Sequence, residues 1–142
     1  MIFFLNVLFV GKYDIIGLNK STEGRILSEI DVLANEFKSC QKILLALGDE
    51  NRQHLILTMM QMGRCEGVRV GEITERTHLS RPAVSHHLAI LKEAGIINVR
   101  HEGTKNYYYF DSDAGAITRL LQMLADARAI MENLPTANGK EG

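Results

Sequence analysis

Between Ser80 and Phe110 the hydrophobic period of the chain changes once, and that change limits the possible folds more than any other feature. From Ser80 to Ala94 the residues Val84, Leu88 and Leu91 recur at i, i+4 and i+7, one face of a helix. Ser80 is a strong N-cap, Pro82 sits in the first turn where its missing N–H costs little, and Gly95 ends the run. The period then drops to two. Ile96-Ile97-Asn98-Val99-Arg100 reads as one strand, His101-Glu102-Gly103-Thr104 as a turn, and the Tyr-rich Lys105 to Phe110 as a second strand. Upstream, a short helix from about Gly71 to Thr77 and the turn His78-Leu79-Ser80 lead into the capped helix. Short helix, tight turn, capped helix and two-stranded wing together spell a winged helix-turn-helix.

Longer helices flank this motif. The first is expected from Thr22 to Leu47, with Ile26, Ile30, Leu33, Phe37, Cys40, Leu44 and Leu47 recurring in alternating steps of four and three, the seam that helix pairs bury. Asp49 caps a helix over Glu50 to Met62 that buries Leu55, Ile56, Met59 and Met60 and stops at Gly63. Residues 64–67 form a loop. A last helix, Ala114 to Asn133, is capped by Asp111, Ser112 or Asp113 and carries Ile117, Leu120, Leu121, Leu124, Ala127, Met131 and Leu134. The fold class is therefore mainly α with a small β-hairpin wing, as a dimer. The domain spans residues 22–134, between an N-terminal extension, 1–21, and a polar tail, 135–142, expected to be disordered.

With 142 residues, 46% of them apolar, the chain suits one domain with a real core. The apolar start, Met1 to Val10, is too short to span a bilayer and has no basic residues before it, so neither a membrane partner nor a signal peptide is expected. It reads as a buried strand, an added dimer contact or an upstream extension. Two cysteines, Cys40 and Cys65, make no disulfide framework, and reduced thiols in the cytoplasm are the expectation. No Gly-rich phosphate loop, nucleophile elbow or paired catalytic motif points to an enzyme.

The face of the capped helix opposite Val84, Leu88 and Leu91 presents Arg81, Pro82, Ser85, His86 and Ala89. An Arg and a hydroxyl at a helix start suit a major groove, where Arg forks to guanine and Ser bonds a base edge or phosphate. By periodicity alone, a solvated helix face explains these residues as well. His87 lies at the edge of the core face. In the wing, Arg100, His101, Thr104 and Lys105 suit phosphate or minor-groove contact, while Tyr107 to Tyr109 read mainly as strand packing. From Arg64 to Phe110 seven basic residues face five acidic ones, a net of +2 in a chain of net charge −1.

The segments ALGDENRQHLIL (Ala46 to Leu57), EITERTHLSRPAVSHHLAILKEAGII (Glu72 to Ile97) and VRHEGTKNYYYF (Val99 to Phe110) resemble the ArsR family of small winged-helix repressors, many of which sense metals. With motif force the resemblance covers about half the chain. It implies a DNA-binding repressor acting as a homodimer on an inverted-repeat operator in double-stranded DNA. The candidate DNA contacts are then Ser80, Arg81, Pro82, Ser85, His86, Arg100, His101 and Lys105, with His87, which matches the family's recurrent His but reads first as a boundary histidine bonded to backbone. It also implies pairing through the flanking helices, by Ile26, Ile30, Leu33 and Phe37 on the first and Ile117, Leu120, Leu121 and Leu124 on the last. His78 departs from the family's usual Gly. So do the metal positions: a Cys-x-Cys at the start of the first motif helix is replaced by Arg69 and Gly71, and the last helix has no His. No metal or other cofactor is therefore expected, and the small-molecule inducer stays unassigned. Cys40 and Cys65 form a redox pair only if folding brings the thiols together. Two other readings stand beside this one. One is a protein-interaction module that kept the fold without DNA binding. The other is a regulator of the MarR kind, which usually has a longer wing.

Overall fold

A computed structural model describes residues 20–111, 113 and 115–135. The apolar start, the candidate cap Ser112, Ala114 and the tail from 136 lie outside them. The elements are α1 (Lys20–Ser39), α2 (Gln41–Leu47), α3 (Glu50–Met62), α4 (Val70–Glu75), α5 (Arg81–Glu93), β1 (Ile97–Glu102), β2 (Lys105–Phe110) and α6 (Gly115–Asn133). They divide into two compact units, one holding residues 38–122 and the other joining 20–37 to 123–135.

The larger unit is built around α5. Val84, Leu88 and Leu91 are wholly buried, together with Leu55 of α3, Ile73 of α4 and Ile97 of β1. Three such aliphatic side chains on one stripe each contribute roughly 1.5–3 kcal/mol of burial. The caps match the sequence. Asp49 accepts from the Arg52 backbone N–H at 3.0 Å, Ser80 Oγ from that of Ala83 at 3.3 Å, and Gly63 ends α3 in the left-handed region at φ 59°.

The expected first helix is two. The backbone leaves helical geometry at Cys40 (φ −92°, ψ 1°), and the break shifts the helical phase downstream of it. Ile43 and Ala46 are buried where Leu44 and Leu47 were expected, and Leu44 is exposed. Arg52 closes the end of α2, donating from Nε to the Ala46 carbonyl at 2.7 Å and from Nη2 to the Leu45 carbonyl at 2.8 Å. Gln53 Nε2 donates to the Leu47 carbonyl at 2.7 Å. Carbonyls that a helix C-terminus leaves unpaired are thus satisfied from the next helix. In α3 the buried residues are Leu55, Thr58 and Met59, while Met60 is 58% exposed.

β1 and β2 pair antiparallel from Ile97↔Phe110 to Glu102↔Lys105, leaving Gly103 (φ 59°) and Thr104 as a two-residue turn. A third segment joins the wing: Val68 and Tyr108 exchange both backbone hydrogen bonds at 2.8 Å. Gly67 makes that approach possible. Its φ is +97°, and a Cβ there would stand 2.9 Å from the Tyr108 carbonyl oxygen.

In the smaller unit α1 and the end of α6 lie side by side. The Glu36 carboxyl is hydrogen-bonded to Asp126, and Ser28, Glu29 and Val32 share a groove with Ala129, Ile130 and Asn133, so the two helices run in opposite directions. Ile26, Met123, Ala127 and Ile130 are buried. The inner stripe of α6 is therefore Ala116, Met123, Ala127 and Ile130. Of the apolar residues expected to share one face of α6, Leu121, Leu124 and Met131 form a second, exposed stripe.

Gly67→Ala is expected to lower stability by more than about 1 kcal/mol, through the positive φ and the close carbonyl. Gly103→Asn, also left-handed but with open space around it, should change it far less. Urea unfolding of both variants checks this; equal effects would remove Gly67 from the role of wing tether.

Candidate nucleic-acid interface

The outer face of α5 is set by its inner one. With Val84, Leu88 and Leu91 turned into the core, Arg81, Pro82, Ser85, His86 and Ala89 are all exposed. Ser80 is exposed too, its hydroxyl engaged as the cap acceptor. Pro82 in the first turn leaves no N–H to satisfy.

His87 stands apart. Its side chain is 14% exposed, and Nδ1 lies 3.9 Å from Asp49 Oδ1. The ring is thus turned toward the start of α3, while the neighbouring His86 ring, 5.7 Å away, is exposed. The Arg52 backbone N–H, with help from the Arg52 and His87 charges, holds the Asp49 carboxyl below the usual aspartate range.

Strand alternation divides the wing residues. Arg100 and Lys105 share the face that carries Tyr107, and His101 is on the other. The Arg100 guanidinium lies 5.3 Å from the Tyr107 ring centroid, and its Nε donates to Glu102 at 2.8 Å. His101 Nδ1 is 2.6 Å from Asn106 Oδ1. Tyr107 joins Arg81 in lining a cleft of about 450 Å³, so α5 and one face of the wing form a continuous surface. Arg64 and Arg69 line the same cleft. In the sequence both register only as charge, because nothing in their spacing shows that the loop folds back beside α5.

Arg69 and Gly71, at the family's metal positions, also line this cleft. Among the described residues no three His, Cys, Asp or Glu side chains gather closely enough to hold a metal ion. Cys40 is buried and Cys65 exposed, both as free thiols. No helix among the described residues is long and apolar enough to cross a membrane.

Residues 55–99 match the family model of the bacterial regulatory proteins of the arsR family. The chain is 35% identical over 78 residues to an uncharacterized HTH-type transcriptional regulator of Methanocaldococcus jannaschii, covering 55% of this chain and 84% of that one. The chain belongs to the ArsR family. Other ArsR-type relatives include the transcriptional activator HlyU of Vibrio cholerae, at 31% identity over 58% of this chain and 73% of that one. The transcriptional repressor SdpR of Bacillus subtilis is 35% identical, over 46% and 69%. An ArsR-like regulator from Rhodococcus shares the fold, with a TM-score of 0.55 at 20% identity over 68% of this chain and 85% of that one. The present ArsR protein is accordingly a DNA-binding transcriptional regulator with a winged helix-turn-helix. Its relatives are regulators, not enzymes. The MarR reading gives way to ArsR membership.

Because Asp49 is held below its usual range when folded, its ionised form stabilises the fold above that range, and the contribution is lost as pH falls through the folded value. Asp49→Asn keeps a capping oxygen without the charge, so its stability should fall less between neutral and acid pH. Denaturant midpoints at several pH values test this; parallel losses in both proteins would show that the Asp49 charge contributes nothing.

Proposed function

We propose that this ArsR regulator is a repressor that binds an inverted-repeat operator as a homodimer, reading bases with α5 and holding the backbone with the wing. The observation that carries the reading is the exposed start of α5. Arg81 and Ser85 project from a helix whose opposite face is wholly buried, so the backbone that presents them is rigid. A rigid helix spares the backbone part of the ordering cost when Arg81 and Ser85 meet base edges. His86 extends that face, and Arg100 and Lys105 supply positive charge on the wing. His87, packed toward Asp49, reaches DNA only at its exposed edge.

Repression is favoured by the 35% identity to a relative named as a repressor. A similar relative is named as an activator, so the family name alone does not carry the direction of regulation.

Pairing is supported by the outer stripe of α6, where Leu121 is 63% exposed and Leu124 51%. On α1, Phe37 is exposed, Ile30 and Leu33 are half-buried, and Ile26 is buried. Ile117 and Leu120 are half-buried on α6. A second copy covers such apolar residues, and a two-fold axis sets two α5 helices about one DNA turn, roughly 34 Å, apart.

Arg81→Ala and Ser85→Ala should each weaken operator binding by about 1–3 kcal/mol while leaving the fold intact. Fluorescence anisotropy on the inverted repeat nearest this gene reads the effect; full affinity in both variants would remove α5 from the reading role. Leu121→Glu combined with Leu124→Glu should give a helical monomer with weakened operator binding. A wild-type monomer mass by light scattering at micromolar concentration would overturn the dimer.

A further inference from the structure

The cleft beside α5 holds a cationic group, Arg69, that base reading does not use. Within it Arg64 is already engaged, donating from Nη1 to the Glu72 carboxylate. Glu72 also accepts from the Arg69 backbone N–H at 2.9 Å. These contacts hold the Glu72 carboxyl below the usual range, the Arg69 backbone N–H contributing most. The Arg69 charge contributes to Glu72 only at longer range, behind Arg64, which leaves the Arg69 guanidinium, beside the base-reading Arg81, without a direct ion pair. Arg69 and Arg81 are both exposed, and among the described residues neither lies within 4.0 Å of a carboxylate oxygen.

Resting on the DNA-binding reading above, we propose that this cleft seats a backbone phosphate of the bound duplex, with Arg69 as its cation, next to the base-reading Arg81. In helix-turn-helix docking the first motif helix crosses the sugar–phosphate backbone while the second enters the groove. Arg69 immediately precedes that first helix, α4, and lines one cleft with Arg81 at the start of α5. Its backbone is fixed from both sides. Val68 is locked to Tyr108 by two 2.8 Å hydrogen bonds, and the Arg69 N–H is held by Glu72. A guanidinium on an immobile backbone loses less freedom on meeting a phosphate, and its planar fork fits two phosphate oxygens.

Glu66 and Glu75 line the same cleft. They oppose capture of a free, multiply charged anion from solution. A duplex phosphate carries one charge and is delivered by the docking of α5 itself, so it tolerates these neighbours.

The test uses the full chain and a fluorescent duplex of arbitrary sequence, titrated between roughly 50 and 200 mM salt. Arg69→Ala should reduce the slope of log affinity against log salt by about 1, and should weaken all sequences alike. Arg69→Lys should restore the slope. An unchanged slope in Arg69→Ala, or a loss confined to one sequence, would overturn the proposal. So would pyrophosphate binding to the DNA-free protein that Arg69→Ala abolishes while the DNA slope stays unchanged. Absence of DNA binding by the wild type would instead defeat the DNA-binding reading itself. Because the Arg69 side chain is exposed, the thermal midpoint of Arg69→Ala should match the wild type.

Discussion

The burial of one stripe on α5 is the constraint on which the rest of the larger unit depends. Val84, Leu88 and Leu91 are sealed against α3, α4 and β1, and no rotation of the helix leaves that stripe buried while moving Arg81 and Ser85 off the surface. Helical periodicity alone thus converts a core-packing requirement into a recognition surface. The other devices fix the ends of that helix and the elements around it. Asp49 starts α3, Ser80 starts α5, and an ion pair between Lys42 and Glu93, at 2.8 Å, ties α2 to the end of α5. That last contact is exposed at both ends and contributes little energy.

The wing is held by a different principle. A two-stranded hairpin alone is marginal in water. Here the bridge from Val68 to Tyr108 adds a third partner to the sheet, and Gly67 permits it. The same bridge anchors the loop that brings Arg64 and Arg69 beside α5. One backbone contact therefore stabilises the hairpin and assembles the arginine-bearing cleft, so a change at Gly67 is transmitted to the placement of Arg64 and Arg69.

Most of the motif was legible in the sequence because its signals are local. The spacing of Val84, Leu88 and Leu91, the caps at Asp49 and Ser80, the stops at Gly63 and Gly95, and the switch to period two each depend on a few neighbouring residues. The misreadings arose where tertiary packing chose between two equally apolar stripes. In α6 the residues 116, 123, 127 and 130 face inward, and Leu121 and Leu124 face outward; both sets repeat at helical spacing. At Cys40 no Gly or Pro marks the break, and the apolar steps continue through it, so the phase shift that buries Ile43 and Ala46 was invisible. The cleft was equally hidden, because it depends on a loop, a helix start and a strand separated along the chain. Membership of the ArsR family was readable from the α3 to β2 motifs, whereas the residues that bear the metal sites of that family differ here at Arg69 and Gly71.

The central claim is that two copies of α5 read two halves of one operator. Hydroxyl-radical footprinting of the promoter DNA upstream of this gene tests it most directly. The account predicts two symmetric protected segments about one helical turn apart, roughly 10 base pairs from centre to centre, overlapping the promoter. A single unsymmetrical protected segment, or uniform weak protection along the fragment, would contradict it.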